Sequence, residues 1–222
     1  MTLAETMNAL EAAGTAQNRK VYARHGYPAN MFGVSFAVLG KLQKQIKRDQ
    51  ELASALWRTG NGDAMALATM IGDPAGVTGK ELEAWAATIP SYTHSDLLAR
   101  FVSGTPQAAK LRAKWIKSKA DHVSQCGWDL VAHAATKGDL TDAECEELLA
   151  VIEQKIHGAP NWTRRAMNGA LIAMGGRNAK VEKQAIAAAR RIGKVHVDHG
   201  ETSCQTPDAV AYIQKIAARR KK

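Results

Sequence analysis

The sequence predicts an all-α fold, an α-solenoid of stacked antiparallel helix pairs, and three observations predict it. No segment alternates apolar and polar residues long enough to form a strand. Three Thr-x-x-Glu strings, Thr2 with Glu5, Thr78 with Glu81 and Thr141 with Glu144, have the spacing of a capping box. There the hydroxyl accepts from an early backbone N–H and the carboxylate reaches back to the cap. Finally, Gly26, Gly60, Gly72, Gly138, Gly158 and Gly175 fall where periodic segments end, as helix-terminating glycines do.

Taken in order, apolar periodicity predicts helices near 2–13, 15–25, 35–48, 49–59, 62–71, 79–88, 93–103, 107–118, 121–136, 142–157, 161–174, 178–192 and 207–219. The links are short, so consecutive helices are expected to pair antiparallel and to bury each apolar face against the next pair. The repeats are degenerate, and a compact helical bundle is the structural alternative. Trp57, Trp85, Trp115 and Trp128, with Cys126 and Cys145, fall at helical positions expected to be core. Two stretches read as irregular: His25–Gly33 (HGYPANMFG), and Lys194–Pro207 (KVHVDHGETSCQTP), a connection long enough to carry function. One domain is expected over 1–222, with 194–222 forming a C-terminal loop, a capping helix and a basic tail.

The 222 residues carry a formal net charge of +9. From Asn161 to Lys222 there are 13 Lys and Arg against 4 Asp and Glu, so this segment holds the whole surplus and the first 160 residues balance. A basic third on a neutral body points to a polyanionic partner, nucleic acid or an anionic membrane surface; the end, AARRKK, also reads as a solubilising tail. The three cysteines are scattered, which fits a reducing compartment and not a disulfide framework. The N-terminus lacks the basic and apolar regions of a signal peptide, and no apolar run approaches a membrane span. A soluble, cytoplasmic protein is expected.

Phe32–Lys41 (FGVSFAVLGK), Glu51–Gly60 (ELASALWRTG), Asp63–Pro74 (DAMALATMIGDP), Leu82–Trp85 (LEAW) and Trp162–Leu171 (WTRRAMNGAL), in this order and spacing, resemble the DNA alkylation repair family of HEAT-like-repeat DNA glycosylases. The resemblance covers most of the chain. It implies an armadillo-type superhelix with a basic concave face. The implied activity is excision of cationic N3- and N7-alkylated purines from DNA, without drawing the base into a pocket as most glycosylases do.

As the glycosidic bond of such a purine breaks, positive charge moves onto the sugar. A carboxylate near the sugar and aromatic faces against the cation favour that change, and neither a metal nor a covalent nucleophile is needed. The family motif is an aromatic residue, typically Trp, an Asp four residues later, and a second Trp on a later helix. Tyr92 and Asp96 match the first part, and a spacing of four places them on one helical face. The resemblance makes Asp96 the charge-stabilising residue; on spacing alone it reads equally as an N-cap or surface carboxylate. Gly169 stands where the second aromatic belongs.

Arg164, Arg165, Arg190, Arg191, Lys194 and Lys117 are candidate phosphate contacts, which set affinity without reading sequence. Other cations near 110–119 fall on more than one face. Around Ser124–Trp128 the family often has an arginine that is absent here. His196, His199 and Cys204 share one loop, but without a Cys pair they read better as loop packing than as a metal site. The expected partner is double-stranded DNA, alkylated or distorted, bound by a monomer with no cofactor. The alternatives are a non-catalytic binder of damaged, bent or branched DNA, and a helical scaffold for an acidic protein.

Overall fold

The computed structural model describes residues 1–220; the last two lysines of the expected basic tail lie outside the described residues. Among the described residues thirteen α-helices account for nearly all regular structure, with a short 3-10 turn at Ile156–Gly158 and no strand. They are α1 (Leu3–Ala13), α2 (Ala16–Arg24), α3 (Phe36–Ile46), α4 (Gln50–Arg58), α5 (Gly62–Ile71), α6 (Gly79–Ala87), α7 (Tyr92–Val102), α8 (Ala108–Trp115), α9 (Asp121–Lys137), α10 (Asp142–Lys155), α11 (Asn161–Gly175), α12 (Ala179–Ile192) and α13 (Ala209–Arg220). No helix among them is long and apolar enough to cross a membrane.

Local chemistry sets the ends. Thr2 and Thr141 form complete capping boxes with Glu5 and Glu144, and the bonds to these exposed caps hold both glutamates below the usual carboxylate range. Thr78 forms only half of one. Its hydroxyl accepts from the Glu81 N–H, while the Glu81 carboxylate instead takes the Ser54 hydroxyl of α4. Gly138 ends α9 at φ 84°, a left-handed conformation that a Cβ disfavours.

The described residues gather into two compact units, Met1–Ala109 with Gly200–Thr202, and Lys110–His199 with 203–220. In the first, α5 is the central helix, buried on nearly every side because its face is small and apolar. Helices α3, α4 and α7 pack on it. Trp57 and Trp85 stack at 4.7 Å and 3°, and Phe101 continues the stack at 5.6 Å from Trp85. In the second, α11 lies along α9 and also packs on α12 and α13, while α10 packs on α12. Within each unit, alternate helices therefore stack in a row (α3, α5 and α7; α9, α11 and α13), which is repeat stacking and not a bundle. Trp115 and Trp128, Cys126 and Cys145 are all core, as the sequence leads one to expect.

Candidate nucleic-acid interface

In the first unit the irregular loop before α3 is tied down by one carboxylate. Asp63, on the first turn of α5, is 1% exposed and accepts three backbone N–H groups, from Phe32 at 2.6 Å, Gly33 at 2.9 Å and Val34 at 2.9 Å. This explains why FGVS and DAMALA occur together: one string supplies the donors and the other the acceptor. Burial, with the Asp63 charge nearby, raises the phenols of Tyr22 and Tyr27 above their ordinary value.

The same loop positions α7. His94 is fully buried, with its ring 4.5 Å from that of Tyr27. Its Nε2 lies 2.9 Å from the Gly62 carbonyl and its Nδ1 2.7 Å from the Ser91 hydroxyl. A carbonyl can only accept, so Nε2 carries a proton. This fixes the first turn of α7, which carries Tyr92 and Asp96. Both are half-buried and share one face, as the spacing predicts. The Tyr92 hydroxyl lies 2.6 Å from His25 Nδ1, at the end of α2. Tyr92 is thus a tethered phenol where the family motif has an indole.

In the second unit, the N-terminus of α11 is capped from another helix. Asp121 of α9 accepts the N–H groups of Trp162 at 3.1 Å and Thr163 at 2.7 Å, and the Thr163 hydroxyl at 2.8 Å. Asn161, Arg164 and Asn168 then form a stripe along α11 that fastens the 194–207 loop. Asn161 exchanges two bonds of 2.8 Å with the Asp198 backbone, Arg164 donates to the His196 carbonyl at 2.8 Å, and Asn168 donates to the Pro207 carbonyl at 3.0 Å. Arg164 also donates to the carbonyls of Ile156, His157 and Ala159.

Arg164 therefore clips the loop to α11, with its guanidinium engaged by four carbonyls. Arg191 forms a bidentate pair with Glu153, at 2.5 and 2.8 Å. The pair holds Glu153 below and Arg191 above its usual range, on an exposed surface where salt screens it. Arg165 is half-buried. Arg190 and Lys194 are exposed beside a groove of about 740 Å³ between the loop and α12, which His196 and His199 also line. Lys117 is exposed at a second groove of about 590 Å³. In the loop, His199 bonds the Thr206 hydroxyl at 3.0 Å, and no metal-holding group of three or more His, Cys, Asp or Glu occurs among the described residues.

Gly169 is exposed on α11, and a Cβ added there meets nothing within 4 Å. The position where the family motif has its second aromatic is thus open space. Sequence reasoning missed Asp63, Asn161 and Asn168. Asp63 alone left a signal, as the first residue of a motif string.

The chain matches the family described as "DNA alkylation repair enzyme" over residues 6–213. An uncharacterized protein of Listeria innocua is 32% identical over 217 residues, covering 95% of each chain. One of Listeria monocytogenes is 30% identical over 219 residues, covering 96% of each. A solved structure with a TM-score of 0.90 and 28% identity covers 99% of this chain and 95% of its own. It is described as representing "a new family of proteins related to the HEAT-like repeat DNA glycosylases with affinity for branched DNA structures".

Proposed function

Because this chain belongs to the DNA alkylation repair enzyme family, we propose that it binds structurally distorted DNA, branched DNA above all, and does not excise alkylated purines. The observation that carries this reading is Gly169. Holding a cationic base while its bond to the sugar breaks calls for aromatic faces as well as a carboxylate. Glycine offers no face, and a Cβ there would meet nothing within 4 Å. Tyr92 offers a smaller ring whose hydroxyl is committed to His25. The affinity for branched DNA described for the structural relative supports the same reading.

DNA contacts fall to exposed cations, Arg190, Lys194 and Lys117, together with Arg165. Phosphate neutralisation by such groups gives salt-sensitive binding with little sequence preference. The protein acts as a monomer without a cofactor.

A second reading has its own support. Tyr92 and Asp96 sit on one face of a helix whose first turn is held by a buried network, which is the first half of the glycosylase motif. Single-turnover release of 7-methylguanine and 3-methyladenine from alkylated duplex DNA separates the two readings. We expect no release above the uncatalysed background from the wild type or from Asp96→Asn. Release by the wild type that disappears in Asp96→Asn establishes a glycosylase and removes the reading built on Gly169.

A further inference from the structure

The first unit contains a basic groove outside both the Tyr92–Asp96 turn and the basic C-terminal third. It has a volume of about 670 Å³ and runs between α3, the end of α5 and the second half of α7. Lys44, Lys47, Arg48 and Arg100 line it, all exposed. Asp73 pairs with Arg48 at 3.6 Å, while Lys44, Lys47 and Arg100 have no ion-pair partner among the described residues.

At the other end of α3 stands Phe36, 46% exposed, one of few large apolar side chains left in solvent. Phe36, Gly40 and Lys44 follow one another at a spacing of four along α3, so aromatic and cation share a face about 12 Å long. A Cβ at Gly40 would meet nothing within 4 Å, which leaves the middle of that face open.

Cations in the last turn of a helix also complement its dipole, and that alone accounts for Lys44. It does not account for Lys47. This is the only non-glycine residue with positive φ among the described residues, at φ 68° and ψ −121°. Those angles suit glycine, as at the first corner of a type II′ turn. A lysine there strains the backbone while placing a cation in the groove, and strain of this kind concentrates where a ligand is held.

An exposed aromatic ring in line with unpaired cations is the arrangement that binds single-stranded nucleic acid: bases stack on the ring, and the backbone follows the charge. We propose that this groove is a binding site for single-stranded DNA, in which Phe36 stacks on a base and Lys44, Lys47 and Arg100 meet successive phosphates. The ligand class rests on the reading of the protein as a DNA binder. The site adds a reason for preferring branched DNA, because a branch exposes unstacked bases that a linear duplex hides.

The test is binding of the full chain to a short oligothymidine and to an abasic backbone of the same length, with four-way-junction binding measured in parallel. Phe36→Ala, an exposed change, should weaken oligothymidine binding about tenfold and leave abasic binding unchanged. Lys47→Gly should weaken binding to both probes while raising the melting temperature by about 2–4 °C, as the strain is relieved. A merely structural lysine would not combine lower affinity with higher stability. The proposal is overturned if the wild type does not bind oligothymidine, if Phe36→Ala binds it like the wild type, or if the abasic backbone binds as tightly. Loss of junction preference, with the oligothymidine effects intact, removes the branched-DNA reading and leaves the groove standing.

Discussion

Asp63→Ala should lower the melting temperature by about 10 °C, the largest stability effect expected in the first unit. The substitution leaves the Phe32, Gly33 and Val34 N–H groups without their acceptor in a largely buried site. Each such donor left unsatisfied costs about 1–3 kcal/mol, so the three together put at least roughly 3 kcal/mol at stake. In a chain of this size each kcal/mol shifts the melting point by about 2–4 °C. Damage would not stop at the loop. Gly62, beside Asp63, holds His94 through its carbonyl, and His94 fixes the first turn of α7. Thermal unfolding followed by circular dichroism measures the shift. A change under about 2 °C would mean that the loop holds itself and the carboxylate is dispensable.

In the second unit the corresponding position is Gly127, where even an added methyl group is too large. A Cβ there would lie 2.4 Å from the Ile116 nitrogen and 2.6 Å from the Trp115 carbonyl carbon. Both are backbone atoms, so no change of rotamer relieves the clash, and α9 must move away from the segment after α8. Overpacking of this kind costs about 1–3 kcal/mol or more, and Gly127→Ala should melt about 6–10 °C lower. Gly169→Ala is the control with the opposite sign. It also lies within a helix, but its Cβ meets nothing, and replacing an interior helical glycine gains about 0.5–1 kcal/mol. Equal melting points for the two variants would contradict the close approach at Gly127.

The contrast shows what the sequence could and could not reveal. Helices were legible because their signals are local. Thr2–Glu5 and Thr141–Glu144 lie three residues apart, and both boxes form. Thr78–Glu81 has the same spacing, yet Glu81 bonds Ser54, 27 residues away, a partner no local pattern names. The tryptophans at helical positions are core as expected, because period and size together require burial.

The candidate site was legible only where one helix supplies two residues, as with Tyr92 and Asp96. Arg164 looked like a phosphate contact because a basic pair opens a helix. Its partners within the chain include the His196 carbonyl, 32 residues away, and carbonyls have no sequence signature. Arg191 is paired with Glu153 across 38 residues for the same reason. The groove around Lys44, Lys47 and Arg100 was hidden by arithmetic: balanced charge over the first 160 residues conceals cations that the fold gathers on one side.

The most direct test of the central claim is a competition between a four-way junction and a linear duplex of matched sequence for the full chain, repeated over a range of salt. We predict that the junction wins by more than about tenfold, and that binding to both falls linearly on a logarithmic salt scale as counterions return to the phosphates. Equal affinity for junction and duplex, or binding indifferent to salt, would contradict it.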